Sequence, residues 1–214
     1  MEEDISIINN ETRKEKIINF FINNKKLIIS SIIILTLIPL IFFSYKIYST
    51  QNKERLAEKY NSATLSYESG DKSKVTEIMK EIINDKNKTY SPLALYFLID
   101  NDLISSNEEI NGYFDIIINE INLDREIKNL IIYKKGLFNS DFENENNLIN
   151  ILKPVINSDS VWKSHALYLI AEYFFDKNEK KKAKEFYTQI LNFEKSNEQI
   201  VYETQKRLSS DFSE

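Results

Sequence analysis

The chain has 214 residues, 42% hydrophobic and 29% charged, with a formal net charge of −5. That balance excludes a disordered chain and leaves room for one membrane segment plus one soluble domain with its own core. The absence of cysteine excludes disulfides, thiolate catalysis and zinc–thiolate sites. An acidic body with no dense basic face argues against nucleic acid, whose binding depends on clustered Lys and Arg.

Only three glycines (Gly70, Gly112, Gly136) and three prolines (Pro39, Pro92, Pro154) punctuate the chain. A sheet protein of this size spends many more residues of these types on turns, so composition favours helix. The excess of Ile, Asn, Lys, Tyr and Phe matches the bias of an AT-rich genome, which makes β-branched content a poor strand signal here.

Residues 1–26 form a short charged tail with five basic and five acidic residues. Its lead-in, "RKEKIINFFINNKK", sets Ile17, Ile18, Phe20 and Phe21 among basic residues. It reads either as an amphipathic helix along a membrane surface or as a solvated approach to the segment that follows.

Residues 27–45 carry no charge. As a helix they span about 28 Å, close to the roughly 30 Å hydrocarbon core of a bilayer. A helix pairs its own backbone in lipid, and Pro39 is tolerated there as a kink at most. A cleaved export signal would have a shorter apolar region ending in small residues. This run instead leaves through "IFFSYKIYST", so an uncleaved anchor is expected. Phe42, Phe43, Tyr45 and Tyr48 stand at one interface and Lys25 and Lys26 at the other. The flanks hold five Lys/Arg in residues 7–26 against four in residues 46–65. Charge therefore leans only slightly towards a cytoplasmic N-terminus.

Residues 46–214 read as helical hairpins. "VWKSHALYLIAEYFF" carries the stripe Trp162, Ala166, Leu169 and Tyr173, widened by Ile170 and Phe174. After the turn "DKNEKK" comes "AKEFYTQILNFE", with Ala183, Phe186, Tyr187, Ile190 and Leu191 at helical spacing. Two helices joined by so short a turn form an antiparallel hairpin. A first hairpin runs from Lys53 to Asp85 around a Gly70–Asp71 turn, its second helix carrying Val75, Ile78, Met79 and Ile82. A second, less regular pair spans residues 91–121, with Pro92 opening one helix and Ser106 capping the other, Glu109 three residues on. A third spans residues 125–157.

Hairpins of this length resemble tetratricopeptide repeats, units of about 34 residues with small and aromatic positions at fixed offsets. Leu167, Ile170, Ala171, Phe174, Ala183, Tyr187 and Ile190 follow that pattern. So do Ile132, Gly136, Leu148, Leu152 and Val155, and Gly136 precedes Ala171 by 35. The first hairpin offers Ala63, Val75, Met79 and Ile82. The second offers Ala94 and then loses register. The layout as a whole, with "ERLAEKYNSATLSYESGD" after the anchor, resembles the ancillary subunit of the SecYEG translocon. These are inner-membrane proteins of Gram-negative bacteria with a periplasmic repeat domain. The resemblance implies a cytoplasmic N-terminus, a periplasmic domain, and a part in handing translocated chains to periplasmic chaperones.

Chemistry is scarce. His165 is the only histidine, so no His-based metal cluster or triad can be built. Three residues after Trp162 on an apolar face, it reads as a hydrogen-bonded structural histidine. The carboxylate pairs Glu143/Glu145 and Asp100/Asp102 fit acid–base work by type but fall in polar turns, where solvated surface is the better reading. The glycines stand at least 24 residues apart, so no phosphate loop exists. "EKKKAK" (179–184) reads as a turn and first helical turn with Ala183 inward. Tyr96, Phe97, Tyr133, Tyr168 and Tyr173 fall at helical spacing and are expected to pack between helices.

The expected molecule is all-α, with a single N-terminal transmembrane helix followed by a tetratricopeptide repeat-like α-solenoid. It is expected to be a protein-binding scaffold with no catalytic, cofactor-binding or metal residues and no small-molecule substrate. The partners implied by the resemblance are translocon subunits, periplasmic chaperones or emerging chains. The competing expectation is a membrane-tethered organiser of envelope assembly or cell division.

Overall fold

The computed structural model describes residues 14–16 and 18–212, and among them the only regular structure is helix. Among the described residues nine helices follow Asn24: α1 (Lys25–Glu68), α2 (Lys72–Asn84), α3 (Tyr90–Asp100), α4 (Asn107–Glu120), α5 (Arg125–Asn139), α6 (Glu145–Ile156), α7 (Lys163–Asp176), α8 (Lys180–Leu191) and α9 (Glu198–Asp211). The chain divides into two units, residues 1–55 and 56–214.

In the first unit, every side chain described between Leu27 and Ser44 is exposed. The apolar stretch lies in one helix long and apolar enough to cross a membrane, with none of its apolar window buried. Two of its hydroxyls are satisfied locally: Ser30 donates to the Leu27 carbonyl at 2.8 Å and Thr36 to the Ile33 carbonyl at 3.0 Å. Such back-bonding is what a hydroxyl needs where water is absent. Pro39 sits within the helix without ending it.

Residue 46 lies inside a helix. Helix α1 continues through it, and the second unit begins at Leu56. From there Leu56 and Ala63 are fully buried, and Tyr60 and Tyr67 pack on the same core. Gly70, at φ +96°, takes the left-handed conformation that lets the chain leave the helix. Asp71 then caps α2 by accepting from the Lys74 N–H.

From α2 onward each helix packs on the next, with further contacts α2–α4, α5–α7 and α7–α9. The core is a single apolar cluster running from Leu56 to Ile190. The most extensive pairing is α7 on α8, where Ala166, Ala171 and Ala183 are all fully buried. In α5, Gly136 plays the corresponding part: a Cβ there would meet Leu152 Cγ of α6 at 2.8 Å. Both positions are those the hairpin pattern assigned to close approach.

Two expectations need correction. Helix α2 pairs most extensively with α3, not with the end of α1, to which Lys59 and Glu81 tie it by an ion pair of 2.6 Å. Fully buried Ser91 explains this, donating to the Ile82 carbonyl at 2.8 Å while accepting from the Asn87 N–H at 2.8 Å. The loss of register after Ala94 follows, because Ser91 commits α3 to α2 and α3 packs less extensively on α4. Leu191 is the second correction: it lies at helical spacing yet is 41% exposed. Ser106 does cap α4, accepting from Glu109 N–H at 3.2 Å.

Helix α9 has no counterpart among the expected hairpins. Only Thr204 is fully buried in it, so its apolar signal is weak.

Candidate binding surface

The odd-numbered helices α1 to α9 carry a succession of aromatic contacts. Tyr60 and Tyr67 of α1 meet Phe97 of α3 at ring-centroid distances of 6.3 and 5.3 Å, and Tyr60 meets Tyr90 at 6.0 Å. Lys134 of α5 reaches over the Tyr96 ring of α3 at 6.0 Å. Tyr133 of α5 stacks on Trp162 at the start of α7, centroids 5.9 Å apart. Arg207 of α9 covers Phe175 of α7 at 4.7 Å. Each contact joins one odd-numbered helix to the next, so aromatic and cationic groups repeat along one set of helices.

Where α3 stands away from α4, a slot of about 310 Å³ opens among α3, α4 and α5. Ile99, Phe114, Leu137 and Phe138 form its apolar wall, with Asp100 and Lys134 at the edge. The volume suits one large apolar side chain. Tyr96 also lines it, and its hydroxyl is enclosed with no hydrogen-bond partner. Burial, with Asp100 adding, pushes that phenol up to about 12. An enclosed hydroxyl without an acceptor costs on the order of 1–3 kcal/mol, so the site carries an unmet polar demand beside its apolar wall.

Glu172 organises the far end. Tyr187 donates to Oε1, while Arg207 donates through Nε at 3.0 Å and through Nη2 to Oε2 at 2.6 Å. Burial and the Glu172 hydrogen bond both drive the Tyr187 phenol well above its ordinary range. The Glu172 hydrogen bond likewise holds Arg207 more firmly protonated. This fork ties α7, α8 and α9 together and leaves Glu172 committed to structure.

Some links between elements span 20 to 31 residues, as between Lys135 and Asp115 or Tyr173 and the Glu143 carbonyl, but several fall between 34 and 37. Ser160 donates to Glu126, 34 residues earlier; Arg207 to Glu172, 35 earlier; Lys195 to Asp159, 36 earlier; Lys182 to Glu145, 37 earlier.

His165 is half-buried against Tyr133 and Trp162, with centroids 5.8 and 5.1 Å away. Its Nδ1 is enclosed with only the Val161 backbone as a loose hydrogen-bond partner, and the ring is also packed between its aromatic neighbours. Burial lowers its pKa, partly offset by the Val161 backbone. The carboxylate pairs are not brought together as acid and base. Glu143 accepts from Asn147 Nδ2 at 2.7 Å, Glu145 pairs with Lys182, and Asp102 occupies a turn at φ +51°. Within "EKKKAK", Lys182 bridges Glu145 and Glu179 while Ala183 is buried. Among the described residues no group of three or more His, Asp or Glu is placed to hold a metal ion.

The slot and the Glu172 fork were not singled out from sequence. The slot draws on three helices and is invisible to periodicity within any one of them. The fork carried one signal, the 35-residue separation of Glu172 and Arg207, equal to that of Gly136 and Ala171.

No family model, curated protein or solved structure matches this chain.

Proposed function

We propose that this protein is a membrane-anchored, protein-binding scaffold whose second unit is a tetratricopeptide repeat-like stack of helices. The carrying observation is the series of aromatic contacts along the odd-numbered helices with the apolar slot among α3, α4 and α5. Stacked helical pairs present an extended concave surface, and aromatic side chains on such a surface offer large contact area at low entropic cost. Side-chain links at separations of 34 to 37 residues are what a repeat of about 35 residues produces, which supports the stack. The surface acts by holding partners, not by catalysis.

The apolar helix supplies the other half of the proposal. A tether confines the binding surface near a membrane and raises its effective concentration for a membrane partner. The layout that resembles the ancillary SecYEG subunit makes the Sec translocon that partner, with emerging chains and periplasmic chaperones as the transient ones. In this reading residues 27–45 cross the inner membrane, the N-terminus is cytoplasmic and residues 46–214 are periplasmic.

Chemical crosslinking in native membranes, followed by purification of this chain, tests the partner. Translocon subunits are expected among the products. Recovery of envelope-assembly or division proteins without any translocon subunit overturns that assignment. Protease added to spheroplasts should degrade residues 50–214, and protection of that region refutes the orientation.

A further inference from the structure

Before α1 the chain is helical at residues 14–16 and 18–23, and Asn24 is a turn. The Asn24 backbone N–H and its side-chain amide both donate to the Phe20 carbonyl, at 3.0 and 2.9 Å. A side-chain bond of this kind competes with the helical ladder and marks a place where a helix bends or ends. Within the short helix Ile18, Phe21 and Ile22 stand at i, i+3 and i+4, on one side. Asn19 and Asn23, at i and i+4, stand on another. The three apolar side chains are 55–65% exposed, and the neighbouring Phe20 is 60% exposed. Among the described residues nothing covers them. The residues that follow say what does: Lys25 and Lys26 come next, and the uncharged run begins at Leu27. A segment directly joined to a membrane-crossing helix is held at the depth of the lipid headgroups. There an apolar stripe reaches acyl chain while amides and ammonium groups stay in the polar layer.

We propose that the segment carrying Ile18, Phe21 and Ile22 is an interfacial helix that lies on the membrane surface and binds anionic lipid. Its apolar stripe enters the acyl boundary, and Lys16, Lys25 and Lys26 engage the headgroups. The turn at Asn24 separates this helix from the crossing one. The inference rests on the reading of residues 27–45 as a membrane span. It adds a lipid-composition dependence that a single span does not have.

The chain contains no cysteine, so single cysteines can be placed at will. The full chain is reconstituted in vesicles of neutral phosphatidylcholine, or of phosphatidylcholine with one third phosphatidylglycerol. A fluorophore is attached at Phe21→Cys, Asn19→Cys or Leu35→Cys. Aqueous iodide should quench the Asn19 label roughly threefold more than the Phe21 label, whereas lipid-borne bromine should favour the Phe21 label. The contrast should sharpen in anionic vesicles, and the triple variant Lys16→Gln, Lys25→Gln, Lys26→Gln should lose that sharpening. Equal iodide quenching at Phe21 and Asn19, with Leu35 still protected, overturns the interfacial helix and leaves the span intact. Protection of Phe21 from both quenchers also overturns it and points to a protein or a second copy as the cover. Iodide access at Leu35 overturns the span and the proposal together. Retained sharpening in the triple variant overturns the headgroup contact.

Discussion

The pairs α3–α4 and α7–α8 are both helices joined by short loops, yet they pack differently. Three residues join α7 to α8, and Ala171 and Ala183 let the backbones approach. Six residues join α3 to α4, and the buried Ser91 of α3 is spent on α2. Gly112 of α4, with nothing near its missing Cβ, gives no close approach either. Where small residues face a partner, the helices close and the core is complete. Where they face elsewhere, the helices part and leave the slot lined by Phe114 and Phe138. A closed end and an open slot in the middle thus accompany the placement of a few small side chains.

The largest test of that contrast is Ala171→Leu, which forces three extra carbon atoms into the α7–α8 contact, where Ala171 is fully buried. Overpacking there should cost about 1–3 kcal/mol, read as a lowered urea midpoint of the detergent-solubilised chain. Next comes Arg207→Ala. It leaves Glu172 without its cationic partner, facing only the tyrosines Tyr168 and Tyr187, and should cost about 1–2 kcal/mol, moderated because Arg207 is partly exposed. Gly112→Ala should act in the opposite direction, stabilising α4 by about 0.5–1 kcal/mol because the added methyl meets nothing and helix entropy improves. A loss at Gly112 equal to that at Ala171 would erase the distinction between the two pairs.

The smallest expected effect is one of pH. Burial lowers the His165 pKa, so the unfolded chain binds the proton more readily than the folded one. Any penalty is absent above the unfolded value of about 6.5 and grows as pH falls through it towards the lower folded value. Between pH 7.5 and 5.5 the wild type should lose well under about 1 kcal/mol relative to His165→Gln, because the ring is half solvated. A gain in relative stability on acidification would contradict the sign.

Much of this fold was legible from helical spacing. Ala171, Ala183, Tyr187 and Ile190 fell where the periodicity of the last hairpin put them, all buried. Ser106 capped α4 because its hydroxyl and spacing carry the signal locally. The α2–α3 pairing was hidden because it turns on one buried serine reaching a carbonyl nine residues earlier. Helix α9 escaped notice because Ile200, Val201, Leu208 and Phe212 are only partly buried. The slot was least legible, since Ile99, Phe114 and Phe138 each look like ordinary core residues in their own helices. Only the separation of those helices gives them an unfilled space.

The most direct test of an anchored protein-binding surface is a photoreactive side chain at Leu137, which is 43% exposed on the slot wall. Irradiated in native membranes, it should form adducts with translocon subunits or chains in transit, and Ile99→Trp, which fills the slot, should abolish them. Adducts with lipid alone, or adducts unchanged by Ile99→Trp, would contradict the surface as the place where partners are held.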